Sequence, residues 1–284
     1  MNNSTTIAHT WLREADKVLI AAGAGMSAAA GIDYGDRQRF AELFPAFVKK
    51  GYRARYELIG DMSLSEEDFW AYWAIHVADI GFGVRDDKPY RELEALTRDK
   101  DRFVFTSNAD MLFRRNGFDP QRLFTPQGEY GQLQCVRACQ PRTWPSEPEL
   151  RRVLDHTDPD LQTVVDRAAL PRCPHCGGRV FLNVRIDRHF VDAPYLEQSA
   201  RLDAWLSGIG NQRLLILEFG AGFNTPGVIR WPCENLAHTL PNARMVRVNP
   251  DPRGFRWPLA DRALSIPSDA AALITELVAA STSS

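Results

Sequence analysis

The stretch Lys17–Ile32 constrains this chain more than any other part of the sequence. Val18–Ala22 form an apolar run typical of a buried strand, and Gly23-Ala24-Gly25 and small residues from Ser27 onward follow it directly. A strand, a glycine turn and a helix start place free backbone N–H groups and the positive end of a helix at one point. This arrangement suits a pyrophosphate, and a Cβ in the turn would hold the phosphate away from the backbone.

Two features leave this interpretation open. A glycine turn after a strand also occurs in loops that bind nothing. A standard dinucleotide fold places an acidic residue about 20 residues further on, yet Asp33 and Asp36 come too early and Glu42 lies in a segment with a helical pattern. A dinucleotide bound here would therefore sit in a variant of the usual arrangement.

Composition narrows the class of protein. The chain has 284 residues, of which 44% are apolar and 25% charged, and its net charge is −2. These values predict a soluble globular protein with one large domain or a domain with an inserted subdomain. Basic and acidic residues are mixed, so no nucleic-acid surface is expected. Residues 1–10 lack a signal-peptide pattern and no apolar run approaches the ~20 residues that span a bilayer, so we expect a cytoplasmic protein without a membrane partner.

Four of the five cysteines form two close pairs, separated by three and by two residues. In a reducing compartment such pairs indicate a metal site rather than disulfides. Two cysteine knuckles complete a closed tetrahedral site, which predicts a structural zinc ion bound by Cys135, Cys139, Cys173 and Cys176. His175 or His156 as a substitute ligand is the alternative, and Cys233 is expected to be a buried apolar residue.

Two helical segments follow the first loop. Residues 39–60 have an irregular helical pattern, and the next helix begins at a Ser65 cap and ends near Gly81. His76 lies on the apolar face of that helix, which favours a core position over a catalytic one. We expect residues 39–90 to form a helical insertion and residues 135–180 a zinc-binding insertion.

Further strand-like segments predict the rest of a parallel sheet. They cover Phe103–Thr106, Val180–Ile186, Leu214–Phe219 and Arg244–Val248, and Gly, Asn or Asp loops follow several of them. The fold class expected is α/β, a Rossmann-type parallel sheet with a nucleotide along its C-terminal edge and a smaller domain made of the two insertions.

The segment Thr106-Ser-Asn-Ala-Asp110 is unusually polar for a strand end. Polar side chains at this position line the ligand crevice of open α/β sheets. Asn108 and Asp110 are therefore candidate site residues. An equally good interpretation is that they cap a helix that starts at Met111.

These motifs together resemble the sirtuins over nearly the whole chain. Gly23-Ala-Gly25-Met-Ser27 with Gly31-Ile-Asp-Tyr34, Thr106-Ser-Asn-Ala-Asp110, the two cysteine pairs and the Gly220 loop occur in sirtuin order. The resemblance implies one sirtuin-type catalytic domain over residues 1–284 that consumes NAD as a co-substrate and carries a structural zinc. The implied catalytic residues are Asn108, Asp110 and Gln127. The implied cofactor-binding residues are Ala22, Gly23, Ala24, Gly25, Ser27, Asp33, Tyr34, Ser107, Gly220, Ala221, Asn224 and Asn249.

The departures from the sirtuin pattern bear on chemistry. The proline expected before Asp33 is absent, Tyr34 replaces a phenylalanine, and the counterpart of the next arginine, Arg37, is displaced. Gln127 occupies the position of the catalytic histidine. A glutamine amide can orient a ribose hydroxyl but cannot take its proton, whereas an imidazole can.

With its glutamine, the chain is similar to the macrodomain-linked class of sirtuins, which are protein ADP-ribosyltransferases. That resemblance implies an acceptor protein, with a lipoylated carrier similar to the glycine-cleavage H protein as candidate, and a macrodomain hydrolase partner. The sequence leaves three alternatives open. They are a deacylase with Glu129 as base, a sensor that binds NAD or ADP-ribose without turnover, and an NAD hydrolase without a protein acceptor.

Overall fold

A computed structural model describes residues 3–61, 63–83, 87–223, 225–251 and 254–282 of the chain. The α-helices are α1 (Asn3–Glu14), α2 (Ala24–Ala29), α3 (Arg37–Leu43), α4 (Pro45–Lys49), α5 (Arg55–Leu58), α6 (Glu66–Val77), α7 (Lys88–Thr97), α8 (Leu112–Arg115), α9 (Glu147–Asp155), α10 (Ala193–Ser207), α11 (Arg230–Thr239) and α12 (Ala270–Thr282). The strands are β1 (Lys17–Ala22), β2 (Asp101–Thr106), β3 (Leu123–Phe124), β4 (Gly128–Cys135), β5 (Thr143–Pro145), β6 (Thr157–Asp158), β7 (Thr163–Val164), β8 (Val180–Val184), β9 (Leu214–Phe219), β10 (Ala243–Val248) and β11 (Ala263–Ile266).

The described chain forms two compact units. The first unit comprises residues within 1–31, 86–128 and 194–284. Its sheet has six strands in the order β11-β10-β9-β1-β2-β3, and all neighbouring pairs are parallel. β1 and β9 are buried along their whole length. Their sequences lack polar alternation because both faces of each strand are covered. The predicted Rossmann-type parallel sheet is confirmed.

Helices cover both faces of this sheet. On one face Leu19, Ala21 and Ile216 pack with Trp205 of α10 and Cys233 of α11 in one hydrophobic cluster. The alternate strand residues, such as Val18 and Ile20, are just as buried and point to the other face, since successive strand side chains alternate. On that side α12 packs against α1, α2 and α7 and forms a second layer of helices.

The second unit comprises residues within 32–85 and 129–193. It contains α3 to α6, α9, a three-stranded sheet in the order β5-β4-β8 and the two-stranded pair β6-β7. α6 begins as predicted, because the Ser65 side chain accepts a hydrogen bond of 3.1 Å from the Asp68 backbone N–H. It ends at Val77 and continues as a π-helical turn, Ala78–Phe82.

The expectation that residues 180–186 rejoin the main sheet is wrong. β8 covers only Val180–Val184 and belongs to the small sheet of the second unit. Its side chains are not uniformly buried, and its polar Asn183 donates a 2.6 Å hydrogen bond to the Gln134 amide oxygen of β4. A run of apolar residues cannot reveal which sheet a strand joins. Within the ranges given above, no helix is long and apolar enough to cross a bilayer.

Candidate active site and metal centre

Four strands of the first unit end level with one another. Ala22 at the end of β1 pairs with Thr106 of β2 and with Phe219 of β9, and Phe219 pairs with Val248 of β10. The chain order reverses between β1 and β9, and ligands of parallel α/β sheets bind at such a point. The loops that leave this edge side by side begin at Gly23, Ser107, Gly220 and Asn249.

The two glycine loops cross in close contact. The Gly25 N–H donates to the Gly220 carbonyl over 3.1 Å. A Cβ on Gly23 would lie 2.7 Å from the Cα of Ala221, and a Cβ on Gly220 would lie 2.3 Å from the Cα of Gly25. The structure thus requires these glycines because two backbones touch, whereas the sequence argument attributed them to close approach of a phosphate.

The predicted polar residues after β2 meet the first glycine loop. The Asn108 side-chain Nδ2 donates to the Gly23 carbonyl over 2.9 Å, and the Ser27 hydroxyl donates to the Asp110 carboxylate over 2.5 Å. The other Asp110 oxygen accepts from the Leu112 backbone N–H at 2.9 Å. Asp110 therefore accepts a hydrogen bond from the first turn of α8, as the capping interpretation predicts, and it also contacts the first glycine loop, while its role in a ligand site stays a prediction.

Tyr90 of α7 was missed by sequence reasoning. It is fully buried beside Ser27, Asn108 and Asp110, and its hydroxyl has no hydrogen-bond partner among the described residues. Burial, reinforced by the Asp110 carboxylate, raises the pKa of Tyr90 well above its usual value. A tyrosine on the apolar face of a helix gives no sequence signal that separates this position from ordinary core.

Gln127 lies in a tight turn that follows β3 at the same edge of the sheet. The Gly128 N–H donates to the Thr125 carbonyl over 3.0 Å, and Gly128 has a φ of +85°. Gln198 of α10 fixes the turn, since its amide oxygen accepts from the Thr125 backbone N–H at 2.9 Å. The half-buried Gln127 side chain makes no hydrogen bond to the described residues, so its amide is available to a ligand.

The loop after β9 is tied to the loop after β10. The Asn249 amide nitrogen donates to the Ala221 carbonyl over 3.2 Å. Ala22 and Ser107 contribute backbone here, because the Ser107 N–H donates to the Ala22 carbonyl over 3.1 Å. Asn224, another predicted cofactor residue, lies outside the described residues.

The edge retains donors and acceptors that protein groups do not use. Ala24 and Gly222 are exposed residues whose backbone N–H groups have no acceptor in the part of the chain that is described, and the Asn108 side-chain oxygen has no donor there. Backbone N–H groups suit phosphate oxygens, and an amide oxygen suits a hydroxyl or an amide. This donor set fits the phosphates and polar groups of NAD.

Asp33 and Tyr34, also predicted to bind the cofactor, lie in the second unit. Asp33 is exposed and accepts a 2.8 Å hydrogen bond from the Gly35 backbone N–H. The Tyr34 hydroxyl lies 2.9 Å from the Tyr130 hydroxyl, and its ring packs against His76 with centroids 5.3 Å apart.

His76 occupies the core, as predicted, with one ring nitrogen 3.2 Å from the Arg55 guanidinium. Burial, with the positive charge of Arg55, lowers the pKa of His76 to about 3. Arg55 also binds Asp79 at 2.6 Å, as does Arg39. Burial raises the pKa of the Asp79 carboxyl, but the two guanidinium groups outweigh it and the net pKa is lowered.

Arg55 is buried in the second unit, and this position was not predicted from the sequence. Arg37, expected from the resemblance to be the displaced counterpart of the sirtuin arginine, is exposed in the first turn of α3. Glu129, the suggested alternative base, is buried in β4 with 4% of its surface exposed.

The four cysteines converge in the second unit. All four sulfur atoms lie within 4.8 Å of one another, with 3.7 Å between Cys135 and Cys176 and 3.6 Å between Cys139 and Cys173. A tetrahedral zinc ion with Zn–S bonds of about 2.3 Å separates its sulfur ligands by about 3.8 Å. The cluster therefore fits a closed, structural zinc site.

Neither histidine considered as a substitute ligand belongs to this group of described residues. His175 lies beside Gln140, with 3.0 Å between their Nε2 atoms, and His156 contacts the Arg152 carbonyl. The Arg137 guanidinium contacts the Cys176 sulfur and lowers the pKa of that thiol to about 6, which favours the thiolate that zinc requires. Cys233 is fully buried in the first unit, as expected.

Solved sirtuin structures share this fold. A mutant Sir2 homologue in complex with 2'-O-acetyl ADP ribose matches with a TM-score of 0.63 at 18% identity, covering 100% of this chain and 97% of that one. A Sir2 homologue–NAD complex matches with a TM-score of 0.60 at 16% identity, covering 98% and 94%. At these identities the likeness establishes the fold.

Sequence relatives add the family. No protein-family model matches the chain. It is 38% identical over 270 residues to a probable bifunctional ADP-ribose hydrolase/ADP-ribosyltransferase of Fusarium oxysporum f. sp. cubense, covering 92% of this chain and 45% of that protein. It is 30% identical over 277 residues to a protein ADP-ribosyltransferase of Staphylococcus aureus strain Mu50, covering 95% and 85%. The chain therefore belongs to the family of protein ADP-ribosyltransferases built on the sirtuin fold.

Proposed function

We propose that this protein transfers ADP-ribose from NAD to an acceptor protein and lacks the histidine-based deacylation of other sirtuins. Gln127 carries the proposal. It follows β3 at the ligand edge of the sheet, and its side chain has no hydrogen bond to the described residues. An amide at this position can donate to or accept from a ribose hydroxyl, but it has no basicity near neutral pH.

The histidines of the first unit do not supply the missing base. His9 lies on α1 and contacts Ser281, and His238 lies near the end of α11, stacked on Trp257. Asp110 is the carboxylate within the loop after β2, and it is already engaged by Ser27 and the Leu112 N–H. The local chemistry therefore supports positioning of a ribose rather than abstraction of its proton.

When bound, NAD supplies a glycosidic bond to nicotinamide whose cleavage makes the ribose carbon electrophilic. Asn108 would bind the nicotinamide end with its unused side-chain oxygen, while its nitrogen remains on the Gly23 carbonyl. Ser27 and Leu112 hold the Asp110 carboxylate in one orientation, so its charge is preorganised for a developing positive charge. Gln127 would orient a ribose hydroxyl, and the N–H groups of Ala24 and Gly222 would bind phosphate oxygens.

We infer that the acceptor is a lipoylated carrier protein and that an ADP-ribose hydrolase of macrodomain type removes the modification. The name of the Fusarium relative, which pairs ADP-ribose hydrolase with ADP-ribosyltransferase, supports the second inference. We also propose that residues 1–284 act as one catalytic domain with insertions at 39–90 and 135–180. The four zinc-binding thiols favour the cytoplasm, where thiols stay reduced.

Product analysis tests the proposal. Purified wild type, Gln127→His and Asn108→Ala are incubated with NAD and with either a lipoylated carrier, the same carrier without lipoate, or an acetyl-lysine peptide. Nicotinamide release is measured by chromatography and the acceptors are examined by mass spectrometry. We expect wild type to add ADP-ribose to the lipoylated carrier only, and Asn108→Ala to lose nicotinamide release.

The other outcomes discriminate between functions. O-acyl-ADP-ribose from wild type would make the protein a deacylase, with Glu129 as the first base to mutate. ADP-ribose binding without nicotinamide release would indicate a sensor, and nicotinamide release without labelled protein an NAD hydrolase. Equal labelling of the carrier with and without lipoate would support transferase activity and show that lipoate is not required.

A further inference from the structure

A buried ionic network lies beneath the two loops after β9 and β10. Arg247 of β10 binds Glu218 of β9 through two nitrogens at 2.5 and 3.0 Å, and binds Glu234 of α11 at 2.7 Å. Arg230, one turn before Glu234, approaches it at 3.8 Å. Each of the four residues has at most 1% of its surface exposed, so two positive and two negative side chains balance within the core.

The network binds the backbone of both loops. Arg230 donates to the Ala221 carbonyl in the loop after β9 over 3.1 Å. Glu234 accepts from the Arg256 backbone N–H at 2.9 Å, and Arg247 donates to the Gly254 carbonyl at 3.4 Å, both in the segment after β10. The ionic groups therefore hold two loops that belong to adjacent strand ends.

The hydrogen bonds on the Ala221 carbonyl also set the direction of an N–H group. Arg230 and Asn249 both donate to this oxygen, so it points into the protein. In a trans peptide the carbonyl and the following N–H point in opposite directions. The Gly222 N–H is thereby directed away from the network. Gly222 is an exposed residue, and its N–H has no acceptor in the described chain.

A network of this kind is a weak source of stability. Replacing buried ion pairs with apolar groups of similar volume is often neutral or stabilising, because desolvation opposes the attraction between the charges. Its contacts here are directed at loop backbone as well as at other charges. That pattern indicates a role in loop conformation.

We propose that Arg230 is a positioning residue, which presents the Gly222 N–H to a phosphate of the ADP-ribosyl group by holding the Ala221 carbonyl. Arg230 is buried and acts through the loop rather than by touching the ligand. The inference rests on the proposed function, which places that part of NAD at this edge.

The test compares Arg230→Met, which removes the donors, with Arg230→Lys, which keeps the charge. Binding of ADP-ribose to folded protein is measured by calorimetry, and KM for NAD and kcat by nicotinamide release. We expect at least tenfold weaker ADP-ribose binding and a matching rise in KM for Arg230→Met, with kcat at saturating NAD within about twofold of wild type. Arg230→Lys should recover part of the affinity, since an ammonium can still donate to a carbonyl.

Arg262 offers a matched control. Its Nη1 atom donates to the carbonyls of Ala237, Leu240 and Ala243 at 2.8 to 3.0 Å, at the opposite end of α11. Arg262→Lys should lower stability without changing the affinity for ADP-ribose.

The outcomes separate this inference from the proposed function. Folded Arg230→Met or Arg230→Lys that binds ADP-ribose as tightly as wild type overturns the positioning role and leaves the transferase in place. If Arg230→Met does not fold, undiminished affinity in Arg230→Lys alone overturns it. A loss of kcat without a rise in KM also contradicts it, and wild type that binds no ADP-ribose contradicts the proposed function itself.

Discussion

Replacing Gly220 with alanine tests the crossing of the two glycine loops. Gly220 has a φ of +59°, and an alanine Cβ would lie 2.3 Å from the Cα of Gly25. A left-handed alanine costs about 1–2 kcal/mol, and overpacking against backbone typically costs about 1–3 kcal/mol. Separation of the loops would also lengthen the Gly25 N–H to Gly220 bond of 3.1 Å. We expect the free energy of unfolding to fall by about 3–5 kcal/mol.

Gly222→Ala is the matched control in the same loop. Nothing lies within 4 Å of its Cβ position, and its φ is outside the left-handed region, so we expect a change within about 0.5 kcal/mol. Urea unfolding followed by far-UV circular dichroism measures both variants. A Gly220→Ala protein as stable as Gly222→Ala would show that the loops do not cross as closely as described.

Three further predictions concern the second unit. Because burial lowers the pKa of His76 from 6.5 to about 3, the unfolded chain gains a proton first as pH falls. The free energy of unfolding should then decrease from pH 6.5 towards 3, by up to about 1.4 kcal/mol per pH unit, and His76→Phe should flatten that profile in pH-dependent urea titrations. Cys173→Ser should abolish stoichiometric zinc in metal analysis and destabilise this unit, whereas Cys233→Ser should retain the zinc. Ser65→Ala removes the cap on the Asp68 N–H and should lower the free energy of unfolding, measured by thermal denaturation, by about 1 kcal/mol. An unchanged free energy of unfolding would show that another group caps α6.

Patterns that depend on neighbouring residues were predictable from the sequence. Short apolar runs identified β1, β2 and β9, because strands buried on both faces need no polar alternation, and β10 was also predicted although it contains Arg244 and Arg247. Close cysteine pairs predicted a four-cysteine metal site, since each spacing brings two thiols together, and the fold brings the two pairs within 4.8 Å of one another. The polar segment after β2 made Asn108 and Asp110 candidate site residues, and the structure places both beside the first glycine loop.

Contacts between distant residues were not predictable. Tyr90 beside Asp110, Gln198 on the Thr125 turn and Arg230 on the Ala221 carbonyl give no local signal. The error over β8 has the same origin. An apolar segment specifies that a strand will be buried, but the choice of partner strand depends on the rest of the fold.

The sequence by itself determined the strands of the parallel sheet and the two cysteine pairs, and it has Gln127 where the sirtuin resemblance implies a histidine. The tertiary structure alone decided why Gly23, Gly25 and Gly220 are glycines. The register of β1 with β9 brings two loops, nearly 200 residues apart in sequence, into backbone contact. The strength of a steric or hydrogen-bond contact depends on distance in space, and only the folded sheet sets that distance.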